Sequence, residues 1–452
     1  MQSVNPTTEK IIVEYPELTE VQIEQKLATA QRAFESWKHT TFEERKEKML
    51  SLAALLKEKK REIAEIATLE MGKPLTAAIA EVEKCALLCE YYAENAENIL
   101  KEEYIKSDAG ESYVSFDPIG SVLAVMPWNF PYWQVFRFIV PAAMAGNVGL
   151  LKHASNVQGC AQMIEKMFQE AGFPEGIFQN FAIGSSKVEG LIRDSRVKAV
   201  TLTGSEYAGK KVAEAAGSEV KKTVLELGGS DPFIVLEDAD MELVAQQAPN
   251  ARLQNCGQSC IAAKRFIVHK NIAEEFLARF KTAFENYIVG DPMDEKTQMG
   301  PMVNEQSLKE IDRQVQESIA KGAELVTGGK KIGEKGFFYA PTILTNVKPG
   351  MPAYDEEIFG PVASVIVVES EEEAIRVAND TPFGLGSSIW TRDIEKAKKI
   401  ASQIDAGSVF INGIVKSVPS LPFGGAKVSG YGRELSHYGI KEFVNIKTVW
   451  IK

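Results

Sequence analysis

Hydrophobic positions in the first hundred residues recur with the period of an α-helix. The segment TEVQIEQKLATAQRAFESW has this spacing, and Thr19 at its start is a suitable N-cap. Thr41 and Glu44 fit a capping box at the start of a second helix. Gly72 and Pro74 are expected to end that helix. The amino-terminal part of the chain is therefore predicted to be helical.

From about residue 119 the pattern changes to short apolar runs that alternate with amphipathic segments. The runs IGSVLAVMPWN, GLLKHA and VKAVTLTGS are typical of strands, and ASNVQGCAQMIEKMFQEAGFPEG is typical of a helix. Strands that alternate with helices predict βαβ units and a parallel, doubly wound sheet. Ligands of such sheets bind beyond the carboxyl ends of the strands.

A second α/β region is predicted after about residue 230, with strands such as RFIVHK, ASVIVVE and SVFINGI. The tail EFVNIKTVWI has the pattern of a strand, but no partner strand lies near it in sequence. Because an exposed strand edge must be covered, another subunit is one candidate for that cover.

Composition narrows the class of protein. The chain has 452 residues, 45% of them hydrophobic and 25% charged, which is typical of a soluble globular protein of two to four domains. A net charge of -11 argues against nucleic-acid binding. The sequence has no apolar run long enough to predict a membrane span and no secretory signal at its start. Only five cysteines indicate a reducing compartment, so we expect a cytoplasmic protein.

The segment NCGQSCIAAKR contains two cysteines, Cys256 and Cys260, and four readings of it are open. They are a metal site, a disulfide, a pair of buried small residues and a nucleophile. A single C-x3-C without a second Cys or His pair cannot fill four zinc positions, which disfavours zinc. The polar, glycine-containing flank of Cys260 is poor core material. None of the four histidines lies in a recognisable nucleophile-base pattern, so a hydrolase triad is disfavoured.

Three other short segments contain candidate polar groups. Thr203-Gly204-Ser205 ends a strand and opens a helix, which suits either a phosphate or a merely steric turn. No GxGxxG follows any strand, so the usual dinucleotide fingerprint is absent. Glu226 ends an apolar strand and is either salt-bridged or kept for proton transfer. Asn129 lies between two prolines and is either a rigid oxyanion donor or a turn residue.

Taken together, eight segments resemble the aldehyde dehydrogenase superfamily, in the family's order and over nearly the whole chain. They are PWNFP, LKHASN, TGS, LELGG, GQSC, EEIFGPV, FING and PFGG. The resemblance implies an α/β fold with three parts. These are a doubly wound cofactor-binding domain (1–100 and 119–227), an α/β catalytic domain (228–425) and a small β oligomerisation element (101–118 and 426–452).

By this resemblance the chain is an NAD(P)-dependent enzyme that oxidises an aldehyde to a carboxylate. Cys260 is then the nucleophile, and Asn129 with the backbone N–H of Cys260 stabilises the oxyanion. Glu226 activates the water that cleaves the thioester. Cys256 is interpreted either as a small helical residue or as a reversible disulfide partner of Cys260.

The resemblance also implies a set of cofactor-binding residues, and two glycines, Gly204 and Gly229, are expected to let the backbone approach the cofactor closely. Ser155 stands where NAD-preferring relatives often have a glutamate that would repel a 2′-phosphate. We therefore expect NADP to be preferred over NAD, unless Ser155 only caps the next helix. The implied cofactor-binding residues are Trp128, Lys152, Ser155, Gly204, Ser205, Leu227, Glu357 and Phe359.

For the substrate, the chain is similar to succinate-semialdehyde dehydrogenases at two positions. Arg137, predicted two turns along the same helix as Asn129, matches their carboxylate-binding arginine, and Ser417 matches a serine before PFGG. A second arginine found in some of them is Gln254 here. We therefore expect oxidation of succinate semialdehyde to succinate, unless Arg137 is a surface or ion-paired residue.

Other functions compete with this one. A broad-specificity or other aliphatic or ω-carboxy aldehyde dehydrogenase is the main alternative, and a non-catalytic dinucleotide-binding relative is the remote one. A CoA-acylating relative would lack the base that Glu226 provides. The partners expected are a small aldehyde and further copies of the chain, as a homodimer or homotetramer, with no metal, nucleic acid or membrane.

Overall fold

The computed structural model describes all 452 residues, Met1–Lys452, and its fold is α/β, as the sequence predicted. The α-helices, in chain order, are α1 (Glu20–Trp37), α2 (Phe42–Glu58), α3 (Lys60–Met71), α4 (Leu75–Ile99), α5 (Trp133–Met144), α6 (Gln158–Glu170), α7 (Val188–Arg193), α8 (Glu206–Ser218), α9 (Met241–Leu253), α10 (Lys270–Glu285), α11 (Glu305–Ala320), α12 (Pro352–Asp355), α13 (Glu371–Asn379), α14 (Ile394–Ala401) and α15 (Ser436–Ile440). The strands are β1 (Gln2–Val4), β2 (Ile11–Glu14), β3 (Glu103–Tyr104), β4 (Glu111–Pro118), β5 (Ser121–Met126), β6 (Val148–His153), β7 (Phe178–Asn180), β8 (Val197–Thr203), β9 (Lys222–Glu226), β10 (Pro232–Val235), β11 (Arg265–His269), β12 (Glu324–Thr327), β13 (Thr342–Thr345), β14 (Val362–Val368), β15 (Gly386–Trp390), β16 (Ser408–Ile411), β17 (Gly430–Tyr431) and β18 (Val444–Ile451).

Two large sheets dominate the fold. The first has six strands in the order β17-β9-β8-β5-β6-β7 and is parallel except for β17, which is antiparallel to β9. The second has seven strands in the order β12-β13-β14-β11-β10-β15-β16 and is parallel except for β12. Because parallel strands need helical crossovers, both sheets carry helices on their faces, as the alternation in the sequence predicted.

A smaller, three-stranded sheet contains the tail of the chain. The tail strand β18 pairs antiparallel with β4 along its whole length, and β3 lies on the other side of β4. The sequence suggested no partner for this strand because β4 is more than three hundred residues away. One edge of β18 has no neighbouring strand in this chain. Within the predicted oligomerisation element 426–452, β17 instead joins the six-stranded sheet.

The hydrophobic interior is divided into two cores. The first packs around the six-stranded sheet and draws mainly on residues 23–227, with Phe423, Leu435 and Ile440 from near the carboxyl end. The second packs around the seven-stranded sheet and draws on residues 233–404. The second core is thus an insertion in the chain of the first. The domain limits given by the resemblance remain a prediction.

The predicted second helix is broken into two. Thr41 caps it as expected, since its hydroxyl accepts from the N–H of Glu44 at 3.2 Å, and Gly72 ends the second segment with a φ of 81°. The helix nevertheless bends at Lys59, where φ is -98° and ψ is 13°. Because α2 and α3 both pack on the long helix α4, this bend lets each segment lie against it. No helix of the structure combines the length and the hydropathy needed to cross a membrane.

Candidate active site

A cavity of about 250 Å³ lies beyond the carboxyl ends of β5, β8 and β9, where a doubly wound sheet binds ligands. Among the residues predicted for the site, Trp128, Asn129, Gly204, Ser205, Leu227, Cys260, Glu357 and Phe359 line it. Thr203, from the same segment as Gly204 and Ser205, also lines it. So do three residues that the sequence did not single out, Pro127, Gln134 and Gly228. The structure thus brings together groups from both large sheets.

The segment before Cys260 has an unusual backbone. Asn255, Cys256 and Gly257 are consecutive residues with positive φ, of 53°, 58° and 69°. A Cβ on Gly257 would lie 2.1 Å from the carbonyl oxygen of Gly360, so no larger residue fits there. Strained backbone of this kind persists only where surrounding contacts hold it, and it is common at functional sites. The strained turn leads directly to Cys260.

Asn129 is held beside the cysteine segment by side-chain and backbone hydrogen bonds. Its Nδ2 donates to the carbonyl oxygen of Gln258 at 3.1 Å, and its Oδ1 accepts from Nε2 of Gln134 at 3.1 Å. Asn255 donates to the backbone oxygen of Asn129 at 2.8 Å. One prediction was wrong here: α5 begins only at Trp133, so Asn129 precedes the helix that contains Arg137. The carboxamide is therefore fixed by these bonds and by the flanking prolines, not by a helix.

A buried lysine holds the backbone at Cys260. Nζ of Lys264 donates to the carbonyl oxygens of Ser259 at 2.9 Å and Cys260 at 2.5 Å, and lies 3.4 Å from Oε1 of Glu357. Burial raises the pKa of the Cys260 thiol to about 12, while the charges of Lys264 and Arg137 oppose that shift. The thiol is therefore protonated at neutral pH in this state of the enzyme, and forming the thiolate requires a change at the site.

Arg252 connects the nucleophile segment to the segment that contains Glu357. Its buried guanidinium donates to the carbonyl oxygens of Gly257, Ala263 and Ile358 at 3.0 Å each, and also to that of Gly360. Sequence reasoning missed this residue, because a single arginine near the end of an amphipathic helix is usually a surface residue. One side chain thus hydrogen-bonds to the backbone on both sides of Cys260 and to the backbone that follows Glu357.

Glu226 is buried behind the cavity and does not line it. Glu226 is the last residue of β9, it is 2% exposed, and neither carboxylate oxygen has a hydrogen-bond partner. Burial raises its pKa well above the usual value, the neighbouring Glu434 raises it further, and Arg137 and Arg433 oppose both effects. Its surroundings therefore favour the protonated form of the side chain. To act on a water molecule at Cys260, it must rotate toward the cavity.

Cys256 is not helical, contrary to one of its two predicted roles, because its φ is positive. Its Sγ contacts Sδ of Met302 at 3.7 Å in the second core, whereas Cys260 packs against the first core. Both thiols are free. The contacts of Cys256 are therefore those of a small packed residue.

Two of the predicted cofactor residues, Lys152 and Ser155, do not line the cavity. Lys152 is the last residue but one of β6, it has no carboxylate partner, and burial lowers its pKa. Ser155 is exposed and makes no capping hydrogen bond, so the capping alternative has no support. Ser205 caps α8 by accepting from the N–H of Ala208 at 3.3 Å, which aims the positive end of that helix at the cavity. These features fit a dinucleotide: the unpaired cation is Lys152, the helix N-terminus is that of α8, and Trp128 and Phe359 form an aromatic pair.

The two glycines predicted to approach the cofactor closely have different surroundings. Gly204 has open space where a Cβ would point, apart from Leu202 at 3.6 Å. A Cβ on Gly229 would instead lie 2.8 Å from the carbonyl oxygen of Cys260, and its N–H donates to Glu357 at 3.0 Å. Gly228, one residue earlier, lines the cavity. The role of Gly229 is therefore to let two segments of protein pack closely.

The predicted substrate residues Arg137 and Ser417 are both buried and do not line the cavity. Arg137 is 3% exposed, forms an ion pair with Glu434, and stacks on Phe423 at 4.6 Å from the ring centroid. Ser417 accepts a hydrogen bond from Nε1 of Trp133 at 2.8 Å. Trp133 directly precedes Gln134, which holds Asn129, so Ser417 is joined to the segment of Asn129 through one indole ring. Arg137 is ion-paired, as its alternative reading proposed.

The family model for the aldehyde dehydrogenase family matches residues 1–449 of the chain. The chain is 52% identical over 449 residues to a probable succinate-semialdehyde dehydrogenase [NADP(+)] of Synechocystis sp., and the match covers 99% of each chain. It is 49% identical over 452 residues to succinate-semialdehyde dehydrogenase [NADP(+)] 1 of Mycobacterium tuberculosis, again over 99% of each. The crystal structure of succinic semialdehyde dehydrogenase from Streptococcus pyogenes in complex with NADP+ superposes with a TM-score of 0.98 at 40% identity, covering 100% of this chain and 99% of that one. The chain described here therefore belongs to the aldehyde dehydrogenase family.

Proposed function

We propose that this enzyme oxidises succinate semialdehyde to succinate with NADP+ as the preferred cofactor. The observation that carries the reaction type is the placement of Cys260 at the cavity beside a carboxamide, Asn129, that is hydrogen-bonded to the cysteine segment. The names of the similar proteins support the choice of substrate and cofactor.

Each catalytic residue has a separate task in this proposal. The thiolate of Cys260 adds to the aldehyde carbon, and the carbonyl oxygen becomes an oxyanion. Nδ2 of Asn129 and the backbone N–H of Cys260 donate to that oxyanion, and because both are held in place they cost no reorganisation during the reaction. A bound nicotinamide dinucleotide supplies the hydride acceptor. After the side chain of Glu226 has rotated into the cavity, its carboxylate removes a proton from the water that cleaves the thioester.

The residues that would hold the cofactor are those beside the helix α8 N-terminus and along the cavity wall. Ser205 and the N-terminal turn of α8 suit the pyrophosphate. Lys152 and Ser155 suit the adenosine ribose and its 2′-phosphate, because one is an unpaired cation and the other an exposed hydroxyl. Trp128, Gly204, Leu227, Glu357 and Phe359 line the remaining wall.

The test is a comparison of kcat/KM for succinate semialdehyde and for butanal, each with NADP+ and with NAD+. Butanal has the same number of carbons but no carboxylate, so it is a matched control for recognition of the charged end. We expect succinate semialdehyde to be favoured by about 100-fold or more, since a hydrogen bond to a charged group contributes about 1.5–3 kcal/mol and more than one is available. If both aldehydes react alike, the chain is a broad-specificity aldehyde dehydrogenase instead.

We also propose that the enzyme is a cytoplasmic homodimer or homotetramer. All five cysteines are free, which suits a reducing compartment. The open edge of β18, with Ile446 and Trp450 exposed on that strand, suits contact with the sheet of a second copy. Light scattering at micromolar concentration tests the assembly, and a monomer would contradict it.

A further inference from the structure

Lys84 on α4 is a cation without an anion. Its Nζ donates to Oγ of Ser417 at 3.0 Å and lies 4.0 Å from the ring centroid of Trp133. The carboxylates around it are already occupied. Glu81 pairs with Lys73 and accepts from the backbone N–H groups of Tyr132 and Trp133, and Glu434 pairs with Arg137. The charge of Lys84 therefore has no partner within the chain.

The hydrogen-bonding capacity around Ser417 is also incomplete. Its hydroxyl oxygen accepts from both Trp133 and Lys84, which uses its two lone pairs and leaves its own O–H free to donate. An ammonium group has three N–H donors, and only one of those on Lys84 has an acceptor in the chain. Up to three unused donors are thus grouped at one point. A carboxylate, which only accepts, satisfies such a group.

This group of donors lies next to the segments that contain Asn129 and Cys260. Trp133 is joined to Gln134, and Gln134 holds the oxyanion donor Asn129. On the other side, Val415, two residues before Ser417, lines a small cavity together with Ile261, the residue after Cys260. The donors are therefore next to both segments that form the reacting end of the site.

We infer that Lys84, together with Ser417, binds the carboxylate at the far end of the aldehyde substrate. This inference rests on the proposed function and names the residue that gives it selectivity. Arg137, which the sequence predicted for this task, is committed to Glu434, Thr203 and Phe423, so it acts mainly by positioning those groups. Burial and the nearby charge of Arg137 lower the pKa of Lys84 to about 8, so its side chain is still mostly protonated at neutral pH.

The experiment compares Lys84→Met, Lys84→Arg and wild type with succinate semialdehyde and butanal. Methionine is an unbranched side chain one atom shorter than lysine, and it removes the charge together with the N–H donors. We expect Lys84→Met to lower kcat/KM for succinate semialdehyde by about 10- to 100-fold, mainly through KM, and to leave butanal within about twofold. Lys84→Arg should restore part of the loss. The control Lys57→Met removes an exposed lysine of α2 that pairs with Glu90 of α4, and it should leave kcat/KM for both substrates unchanged.

A second variant tests the shared carboxylate. Ser417→Ala should lower kcat/KM for succinate semialdehyde by a smaller factor, and the Lys84→Met/Ser417→Ala double variant should lose less than the product of the two single losses, because both residues bind one group.

The outcomes separate the two hypotheses. If wild type does not prefer succinate semialdehyde over butanal, the proposed function fails. If wild type prefers it and Lys84→Met keeps that preference, or loses both substrates equally, Lys84 does not bind the carboxylate and only this inference fails.

Discussion

The buried ion pair between Arg137 and Glu434 should be a strong determinant of stability. Both side chains are at most 5% exposed, so removing one leaves a charge without solvent or partner. Breaking such a pair costs about 3–5 kcal/mol, whereas removing both charges together costs far less. We expect Arg137→Met to lose about 3–5 kcal/mol of unfolding free energy near pH 8. The double variant Arg137→Met/Glu434→Gln should recover most of that loss.

The pH dependence of this loss follows from the two carboxyl groups. Arg137 is the main influence that lowers the pKa of Glu434, and it also lowers that of Glu226, while burial raises both. Without Arg137 both folded-state pKa values rise further above the unfolded value of about 4.5. An acid with a raised folded-state pKa binds more protons when folded, so stability falls as pH rises between the two values. The deficit of Arg137→Met should therefore be small near pH 5 and largest near pH 8.

Chemical denaturation curves at the two pH values give the measurement, with the midpoint shift multiplied by the wild-type slope. The reasoning is refuted if Arg137→Met is as stable as wild type near pH 8. It is equally refuted if the double variant is less stable than the single one, because the lost energy would then not come from an unpaired Glu434.

Three further predictions concern the catalytic and cofactor residues. Glu226→Gln should keep a burst of reduced cofactor but slow steady-state turnover about 100-fold or more, and normal turnover would assign the base elsewhere. Alkylation of Cys260 by iodoacetamide without cofactor should speed up about tenfold per pH unit between about pH 7 and 9, because its pKa is about 12. Cys260→Ala is the control, and a rate that does not vary with pH would contradict the prediction. Ser155→Glu should reduce the preference for NADP+ over NAD+ by about tenfold or more through charge repulsion, with Ser155→Ala as the neutral control. An unchanged ratio would show that Ser155 does not face the 2′-phosphate.

Local patterns predicted the local structure well. The caps at Thr19 and Thr41 and the stop at Gly72 depend on residues within one turn, so the sequence contains all the information needed. The bend at Lys59 was missed because its cause is the packing of α2 and α3 on α4. The strand β18 was predicted, but its pairing with β4 depends on contacts between distant parts of the chain.

In the site, too, features fixed by a short segment could be predicted, whereas contacts between distant parts of the chain could not. Motif resemblance placed Cys260 and Asn129 correctly at the cavity, since each belongs to a short segment whose shape is fixed locally. The surroundings of Arg137 could not be predicted in this way, because Glu434 approaches it from the far end of the chain. Lys84 was missed for a similar reason: a single lysine in an amphipathic helix usually faces solvent, and Ser417 lies 333 residues further along.

The insertion of the second core has a consequence for the order in which this protein is completed during synthesis. The first core includes Phe423, Leu435 and Ile440, and its sheet receives the edge strand β17 only from near the carboxyl end. A ribosome releases these residues after the whole second core, so the part that begins first is the last to be finished. Until then β9 has a free edge at Leu225 and Glu226. The carboxyl group of Glu226 thus becomes enclosed only when the final thirty or so residues have joined the sheet, and a nascent chain that stalls earlier contains Cys260 but not a closed site.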